Sequence, residues 1–193
     1  MNRQKLYRRY LNFTKARSVN QIGFLIGIKP HIMLLQAMKP HYDTFYVLKR
    51  NGGRRLIENP NPVLKQLQRG LNKYLQCVYY QHCPEASHGF VINIKRGKHR
   101  SIISNASTHL GANHIMNIDL KDFFHTVYQY KVDDILSSKL FQFDNETIRL
   151  LSSLMCFGGR KDSIIIIPFT KVNAEIKSNR ISALDFNKEV III

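Results

Sequence analysis

The segment "TFYVLKRNGGRRLI", Thr44–Ile57, has the composition of a β-hairpin with a basic tip. β-Branched and aromatic residues on both sides indicate two antiparallel strands, and Asn51-Gly52 is a dipeptide that tolerates the positive φ of a tight turn. Because the glycines of the turn carry no side chains, a ligand can approach its backbone closely. The hairpin is therefore either a phosphate-binding element or a charged, solvent-exposed tip. Its four cations are Lys49, Arg50, Arg54 and Arg55.

Helical periodicity is predicted on both sides of the hairpin. Apolar residues recur at helical intervals from Leu6 to Met38, and Pro30 is placed to open the last of these short helices. After the hairpin, "VLKQLQRGLNKYLQCVYY", Val63–Tyr80, predicts a longer helix with one apolar stripe. The stripe consists of Leu64, Leu67, Leu71, Leu75 and Val78.

A second face of this longer helix carries three cations at four-residue intervals, Lys65, Arg69 and Lys73. Residues four apart lie above one another on a helix, so the three side chains form a row. Such a row is typical of a solvated surface and also of a track for phosphate groups. The helix alone does not decide between these two interpretations.

The stretch "MNIDLKDFFHTV", Met116–Val127, places Asp119 at the end of an apolar run. This pattern predicts a strand, and a carboxylate at a strand terminus is held rigidly by the sheet beneath it. Mg²⁺ prefers one or two such oxygen ligands together with substrate phosphates. Asp119 is therefore a candidate metal ligand, or else a turn residue that caps the next element or pairs with a cation. Asp122 is a weaker candidate of the same kind.

Three further helices and an apolar tail complete the predicted organisation. The tail contains "SIIIIPF", which is typical of a buried strand and, if exposed, could pair along its edge with a partner protein. The helices are predicted at Ser101–His109, at about Lys131–Lys139 and at Asn145–Met155.

Composition favours one class of partner. The chain has 193 residues, with 29 Lys and Arg against 13 Asp and Glu, which leaves a formal charge of +16. A surplus of this size attracts polyanions and favours nucleic acid over a membrane surface. The 3 cysteines lack metal-ligand spacing and fit a reducing compartment. With no long apolar segment, the sequence predicts a cytoplasmic protein without a membrane partner.

Several segments occur in an order that resembles the bacterial reverse transcriptases of the retron and group II intron type. They are "FYVLKRNGGRRLIENP", "LKQLQ", "HGF", "SIISNASTH" and "NIDLKDFF", and the resemblance extends over roughly residues 42–159. It implies an α+β fold of antiparallel strands and packed helices, forming the fingers and part of the palm of a right-hand polymerase. The implied activity is RNA-directed DNA synthesis on an RNA template, with a DNA primer and deoxynucleoside triphosphates. The implied regions are an N-terminal helical region at 1–40, fingers at 41–115, the first part of the palm at 116–160 and a divergent tail at 161–193.

The resemblance also implies roles for individual residues. Asp119 matches a catalytic metal ligand, and the peptide carbonyl of Leu120 would help to hold a metal in a site for two Mg²⁺ ions. Phe124 matches the aromatic residue beneath the sugar, where its ring would exclude a ribose 2′-hydroxyl. The cations that match those gripping the triphosphate are Lys49 and Arg55, with Arg50 and Arg54 nearby.

The sequence departs from the family pattern after "CFGGR", Cys156–Arg160. A "PQG" segment and a "YADD"-like hairpin with two more aspartates do not follow, and the thumb is missing. Since Asp119 alone cannot hold two divalent ions about 4 Å apart, we expect no polymerisation by the chain on its own. A shortened gene, a split enzyme completed by a second polypeptide and an engineered truncation remain open. The alternative function is a non-catalytic, basic nucleic-acid-binding module derived from a reverse transcriptase.

Overall fold

The computed structural model describes residues 1–50, 52–115, 127–157 and 160–161. Within these ranges, helices alternate with two separate antiparallel pairs of strands, so the fold mixes α and β structure. The elements are α1 (Arg3–Thr14), α2 (Val19–Ile26), α3 (Pro30–Met38), β1 (Tyr42–Leu48), β2 (Arg54–Pro60), α4 (Pro62–His82), α5 (Ile102–Ser107), α6 (Gln129–Leu136), α7 (Asn145–Met155), β3 (Cys156–Phe157) and β4 (Arg160–Lys161).

Local capping signals set the ends of the N-terminal helices. The side chain of Asn2 accepts a hydrogen bond from the backbone N–H of Lys5 at 2.8 Å, which satisfies a donor that the first turn of α1 leaves unpaired. Helix α2 ends at Gly27, whose φ of +72° lies in the left-handed region that glycine adopts without strain. Pro30 opens α3, as the sequence predicts.

Helix α4 is the central element of the described fold. Asn61 caps it by accepting a hydrogen bond from Leu64 N–H at 2.9 Å, and Pro62 occupies its first turn. The predicted apolar stripe is buried along its whole length, and α4 packs against α1, α2, α3 and α7. The prediction of this helix and of its apolar face is confirmed.

One hydrophobic core joins the helices before the hairpin to those that follow it. The ring of Phe13 in α1 lies 5.6 Å from that of Tyr74 in α4, and 6.2 and 5.4 Å from those of Phe141 and Phe143 just before α7. The same core includes Leu151 of α7, which is fully buried. The predicted regions 1–40, 41–115 and 116–160 thus contribute side chains to a shared interior, while their boundaries as domains stay predictions.

A buried glutamine connects the base of the hairpin to this core. The side-chain amide of Gln68 in α4 donates to the hydroxyl of Tyr42 at 3.0 Å and to the carbonyl of Leu154 at 2.9 Å. Tyr42 in turn lies against Phe157, with 4.2 Å between ring centroids. Gln68 therefore fixes β1, α4 and α7 relative to one another at a point with no access to water.

Gln68→Ala is expected to lower the free energy of unfolding by about 2–4 kcal/mol, because it leaves a cavity and an unpaired buried carbonyl. Chemical denaturation of the purified chain measures this loss. Gln66→Ala is the matched control, since Gln66 is an exposed glutamine of the same helix. Equal midpoints for the two variants would contradict the role assigned to Gln68.

A second, smaller cluster consists of Leu6, Cys77 and Ile94 and covers the C-terminal half of α4. Burial raises the pKa of the Cys77 thiol, and the neighbouring Arg9 guanidinium offsets part of that rise. Cys77 and Cys156 are buried, whereas Cys83 is partly exposed.

Maleimide labelling at neutral pH is therefore expected to modify Cys83 before Cys77. The raised pKa keeps the Cys77 thiol protonated, and its burial blocks the reagent. Peptide mapping by mass spectrometry after a short reaction checks the order. Preferential labelling of Cys77 in the folded chain would show that the cluster around it is open.

Candidate nucleotide and nucleic-acid site

The hairpin forms as the sequence predicts. Strands β1 and β2 pair in antiparallel register over their whole length, with Val47 opposite Arg55 and Leu48 opposite Arg54. The turn is closed by hydrogen bonds from Lys49 N–H to the Gly53 carbonyl at 2.6 Å and from Gly52 N–H to the Lys49 carbonyl at 3.0 Å. Gly52 has a φ of +80°, and Asn51 lies outside the described residues.

The register divides the cations of the hairpin between its two faces. Residues directly opposite each other share a face, and successive residues of a strand alternate between faces. Arg55 therefore shares one face with Val47. Lys49 follows the last residue of β1 and lies at the turn. Arg54 lies on the opposite face, beside Leu48. The sequence predicted only that the four cations lie around one turn, and it did not predict that Arg54 and Arg55 lie on opposite faces of the hairpin.

We call the face that carries Arg55 the groove face, because it leads to a groove at the base of the hairpin. Asp43 and Asn59 pair with each other on this face and line the groove, which has a volume of about 660 Å³. Its other wall is α4. The remaining lining residues are Ile26, Pro60, Pro62, Lys65, Gln66, Arg69, Gly70 and Lys73.

The structure thus brings the three predicted cations of α4 together in one groove. The ammonium of Lys65 donates to the side-chain carbonyl of Asn59 at 2.9 Å, which connects the cation row to the hairpin. Arg69 and Lys73 are exposed along the row. Sequence reasoning found these cations and missed Asn59 and Asp43, because nothing in the spacing of the chain shows that β2 and α4 enclose a groove.

The cations of this site lack neutralising partners in the part of the chain that the structure describes. The contact found there between an acidic and a basic side chain joins Asp43 to His41, with 3.5 Å between Oδ1 and Nε2, and both side chains are well exposed. None of the described cations of the hairpin or of α4 has a carboxylate within 4 Å. The site therefore carries a net positive charge that is available to an anionic ligand.

Asp119, Leu120 and Phe124 lie outside the described residues, as do Asp122 and the strand predicted before Asp119. Across the described ranges, His, Cys, Asp and Glu side chains do not gather in groups of three that could hold a metal ion. The metal-ligand role of Asp119 therefore stays a prediction.

Two of the segments that carry the resemblance meet in space. In "HGF", His88 Nδ1 lies 2.8 Å from the hydroxyl of Ser104 in "SIISNASTH". Ser101 and Ser104 form a reciprocal capping box at the start of α5, which fixes the second segment locally. Neither contact was predicted from the sequence.

Comparison with known proteins finds retron reverse transcriptases among the relatives of this chain. The chain is 37% identical over 98 residues to the retron Mx162 reverse transcriptase of Myxococcus xanthus, a match that covers 50% of the chain and 18% of that protein. It is 35% identical over 117 residues to the retron Mx65 reverse transcriptase of the same organism, covering 60% of the chain and 26% of the relative. The chain is related to the retron reverse transcriptases.

The retron relationship extends to a second organism. The retron Ec86 reverse transcriptase of Escherichia coli is 43% identical over 58 residues, which cover 30% of the chain and 16% of that protein. No family model matches the chain. The retron part of the resemblance implied by the sequence is confirmed, whereas the group II intron part stays a prediction. These matches span about a quarter or less of each relative.

Membrane insertion was not expected from the sequence. Of the helices that the structure describes, none combines the length and the apolar character needed to cross a bilayer.

Proposed function

We propose that this retron-related chain is the fingers and first part of the palm of an RNA-directed DNA polymerase. The observation that carries the proposal is the groove face, which carries Arg55 close to the turn that contains Lys49 and which leads into the cationic groove along α4. An enzyme that copies nucleic acid needs neighbouring sites for a nucleotide triphosphate and for a polynucleotide strand. The groove face and the groove supply both kinds of site.

In this proposal, the turn of the hairpin binds the triphosphate of the incoming nucleotide. Lys49 provides a compact charge, and the planar guanidinium of Arg55 can donate two parallel hydrogen bonds to phosphate oxygens. Phosphoryl transfer depends on in-line positioning and on neutralisation of charge, which these two side chains supply. Arg54 projects from the opposite face and makes no direct contact with the triphosphate, and Arg50 at the turn adds long-range attraction.

The carboxylate of Asp119, with the carbonyl of Leu120, would hold Mg²⁺ in a complete enzyme. Hard oxygen donors of this kind suit Mg²⁺, which when bound neutralises charge on the phosphates. A second polypeptide or a longer chain would provide the further carboxylates that a two-metal site needs. Phe124 would exclude ribonucleotides by its contact with the sugar. RNA template, DNA primer and deoxynucleotides are the proposed substrates.

The α4 groove would bind the backbone of the template or primer strand. We test this with a groove variant in which its three cations become glutamine. The groove variant is Lys65→Gln, Arg69→Gln and Lys73→Gln. A control variant removes the same number of charges from exposed positions elsewhere, and consists of Lys15→Gln, Lys139→Gln and Arg149→Gln.

Fluorescence anisotropy with a primed RNA measures binding at several salt concentrations. For the groove variant we expect affinity to fall roughly tenfold or more near 0.1 M salt, and the dependence of log affinity on log salt to flatten by about 2, since each lost phosphate contact contributes about 0.7–0.9 to that slope. The control variant should lose less than about threefold, through the change in net charge alone. Equal losses in both variants would mean that the groove is an ordinary solvated surface.

A further inference from the structure

A second basic feature lies outside the segments that carry the family resemblance. The loop "KRGKHR", Lys95–Arg100, falls between "HGF" and "SIISNASTH", and the sequence from residue 86 to residue 118 contains no Asp or Glu. Lys95, Arg96 and Lys98 are exposed, and none of them has a carboxylate within 4 Å among the described residues. The proposed polymerase function assigns no role to these three cations.

The loop is anchored to the helical body rather than loosely attached. Ile94, directly before the basic run, is only 3% exposed and packs in the cluster with Leu6 and Cys77. The backbone N–H of Lys95 donates to the carbonyl of Met1 at 3.1 Å. A Cβ atom at Gly97 would lie 2.5 Å from Ile94 Cγ1 and 3.1 Å from the Tyr80 hydroxyl, so glycine permits the close approach of the loop to α4.

Further hydrogen bonds brace the second half of the loop. The guanidinium of Arg100 donates to the carbonyls of Pro84 and Ser87, each at 2.6 Å. Arg100 therefore stabilises the loop, and we do not count it among the cations that would bind a ligand. The side chain of Asn93 accepts from Arg100 N–H at 3.0 Å and donates to the Arg100 carbonyl at 3.3 Å. Because these contacts fix the loop before any ligand arrives, binding costs little additional ordering.

The position of the loop continues the row of cations on α4. Cys77 lies one helical turn beyond Lys73 on the same side of α4, and Ile94 packs against it. At a rise of 1.5 Å per residue, Tyr80, which faces Gly97, lies about 10 Å beyond Lys73 along the helix. A strand that follows the groove toward the C-terminal end of α4 therefore reaches the basic loop.

The first turns of α1 extend this surface. The hydrogen bond from the backbone N–H of Lys95 to the carbonyl of Met1 places the N-terminus of α1 beside the loop. Arg3 and Lys5, in the first turns of α1, are exposed. No Asp or Glu occurs before residue 43. Tyr7 is 50% exposed, and its ring centroid lies 5.9 Å from that of Tyr10. Cations beside an accessible aromatic ring are typical of surfaces that bind single-stranded nucleic acid, because unpaired bases stack on the ring.

We propose that residues 94–98 and the first two turns of α1 form a second phosphodiester-binding surface, which takes a single strand of nucleic acid as it leaves the α4 groove. The occupant is recognised through its phosphates by the loop and through an unpaired base by Tyr7. This inference rests on the proposed function, because it requires that the same strand is bound in the α4 groove. It adds a contact about one helical turn or more beyond the groove.

The experiment uses the whole chain and a fluorescently labelled single-stranded RNA of about 20 nucleotides. An RNA of this length can occupy the α4 groove and still extend to the loop. The loop variant is Lys95→Gln, Arg96→Gln and Lys98→Gln. We expect it to reduce affinity roughly tenfold or more at 0.1 M salt and to flatten the salt slope by about 2. A charge-preserving variant, Lys95→Arg with Lys98→Arg, should keep affinity within about twofold, and the control variant within about threefold.

The outcomes separate this inference from the proposed function. If the groove variant loses affinity and the loop variant does not, the proposal of a second binding surface is wrong and the proposal for the groove stands. If neither variant loses more affinity than the control variant does, both proposals are wrong. A loss in the loop variant that the charge-preserving variant shares would indicate a disturbed loop structure and overturn the phosphate assignment.

A second comparison tests the preference for a single strand. Tyr7→Ala should weaken binding of the single-stranded RNA roughly fivefold or more, since stacking of one base is worth about 1–3 kcal/mol. A duplex RNA of the same length offers no unpaired base, so its affinity should not respond to Tyr7→Ala. Tighter binding of the duplex, together with no effect of Tyr7→Ala on the single strand, would overturn the assignment to single-stranded nucleic acid.

Discussion

Replacement of Asp119 by asparagine is expected to abolish DNA synthesis in a completed enzyme, in which the chain is joined to the palm and thumb segments that follow in a retron reverse transcriptase. Asparagine keeps the shape of the side chain and removes the charge that a divalent metal requires. The stabilisation of transition-state charge by a bound metal is worth several kcal/mol, and a loss of about 4 kcal/mol corresponds to roughly 1,000-fold in rate. Primer extension on a primed RNA, with deoxynucleotides and Mg²⁺, measures the effect.

Asp122→Asn is the matched control, because it makes the same chemical change three residues further along the chain. We expect it to reduce synthesis by less than about tenfold, and we expect both variants to bind RNA as the parent does, since neither removes a cation. Full synthesis by the Asp119→Asn enzyme would support the alternative, in which the chain is a nucleic-acid-binding module and its carboxylate has no catalytic role.

The second large effect concerns the two faces of the hairpin. In the completed enzyme, Arg55→Ala is expected to reduce kcat/KM for the incoming nucleotide by roughly 30-fold to 150-fold, because a hydrogen bond to a charged group is worth about 2–3 kcal/mol. Arg54→Ala should reduce it by less than about threefold. Both substitutions remove one guanidinium from neighbouring positions of β2, so their difference isolates the face on which each side chain lies.

Steady-state kinetics with varied deoxynucleotide concentration decides this prediction. The loss in the Arg55→Ala enzyme should depend on the phosphates of the nucleotide and should be the same for all four bases, because the contact involves no base. Equal losses for the two variants, or a larger loss for Arg54→Ala, would contradict the assignment of the groove face to the triphosphate.

Local sequence signals predicted much of the described fold. The hairpin was predicted from the β-branched residues on both sides of a turn that contains Gly52. The φ of Gly52 is positive, a conformation that glycine adopts without strain because it has no side chain. Helix α4 followed from its apolar stripe, and α7 from Asn145 to Met155 was predicted with the bounds that the structure gives. In each case the signal lies within one element, so a single sequence is sufficient to reveal it.

The bounds of other helices were predicted less well. The helix expected at about Lys131–Lys139 is α6, Gln129–Leu136, and therefore begins and ends earlier. Tyr128 has an extended backbone and Ser137 ends the helix, whereas the apolar pattern itself continues beyond this point. Helix termini depend on individual backbone conformations, which hydrophobic periodicity does not report.

Tertiary relations within the candidate site could not be predicted. The groove exists because Asn59 and Asp43 at the base of the hairpin face the cation row of α4, and the relation between β2 and α4 is set by buried contacts such as those of Gln68. The docking of the basic loop depends on Ile94, an isolated apolar residue in a polar stretch, and such a residue gives no periodic signal. The run "KRGKHR" was visible in the sequence, but its position beside α4 was not.

Primer extension by the chain alone and by the completed enzyme tests the proposal that this chain is the nucleotide-binding part of a reverse transcriptase. On a primed RNA with deoxynucleotides and Mg²⁺, the 193 residues alone should bind the substrate and add no nucleotide. The same chain, joined to the remaining palm and thumb of a retron reverse transcriptase, should extend the primer. Extension by the chain alone, or no extension by a completed enzyme that folds and binds the primed RNA, would contradict this proposal.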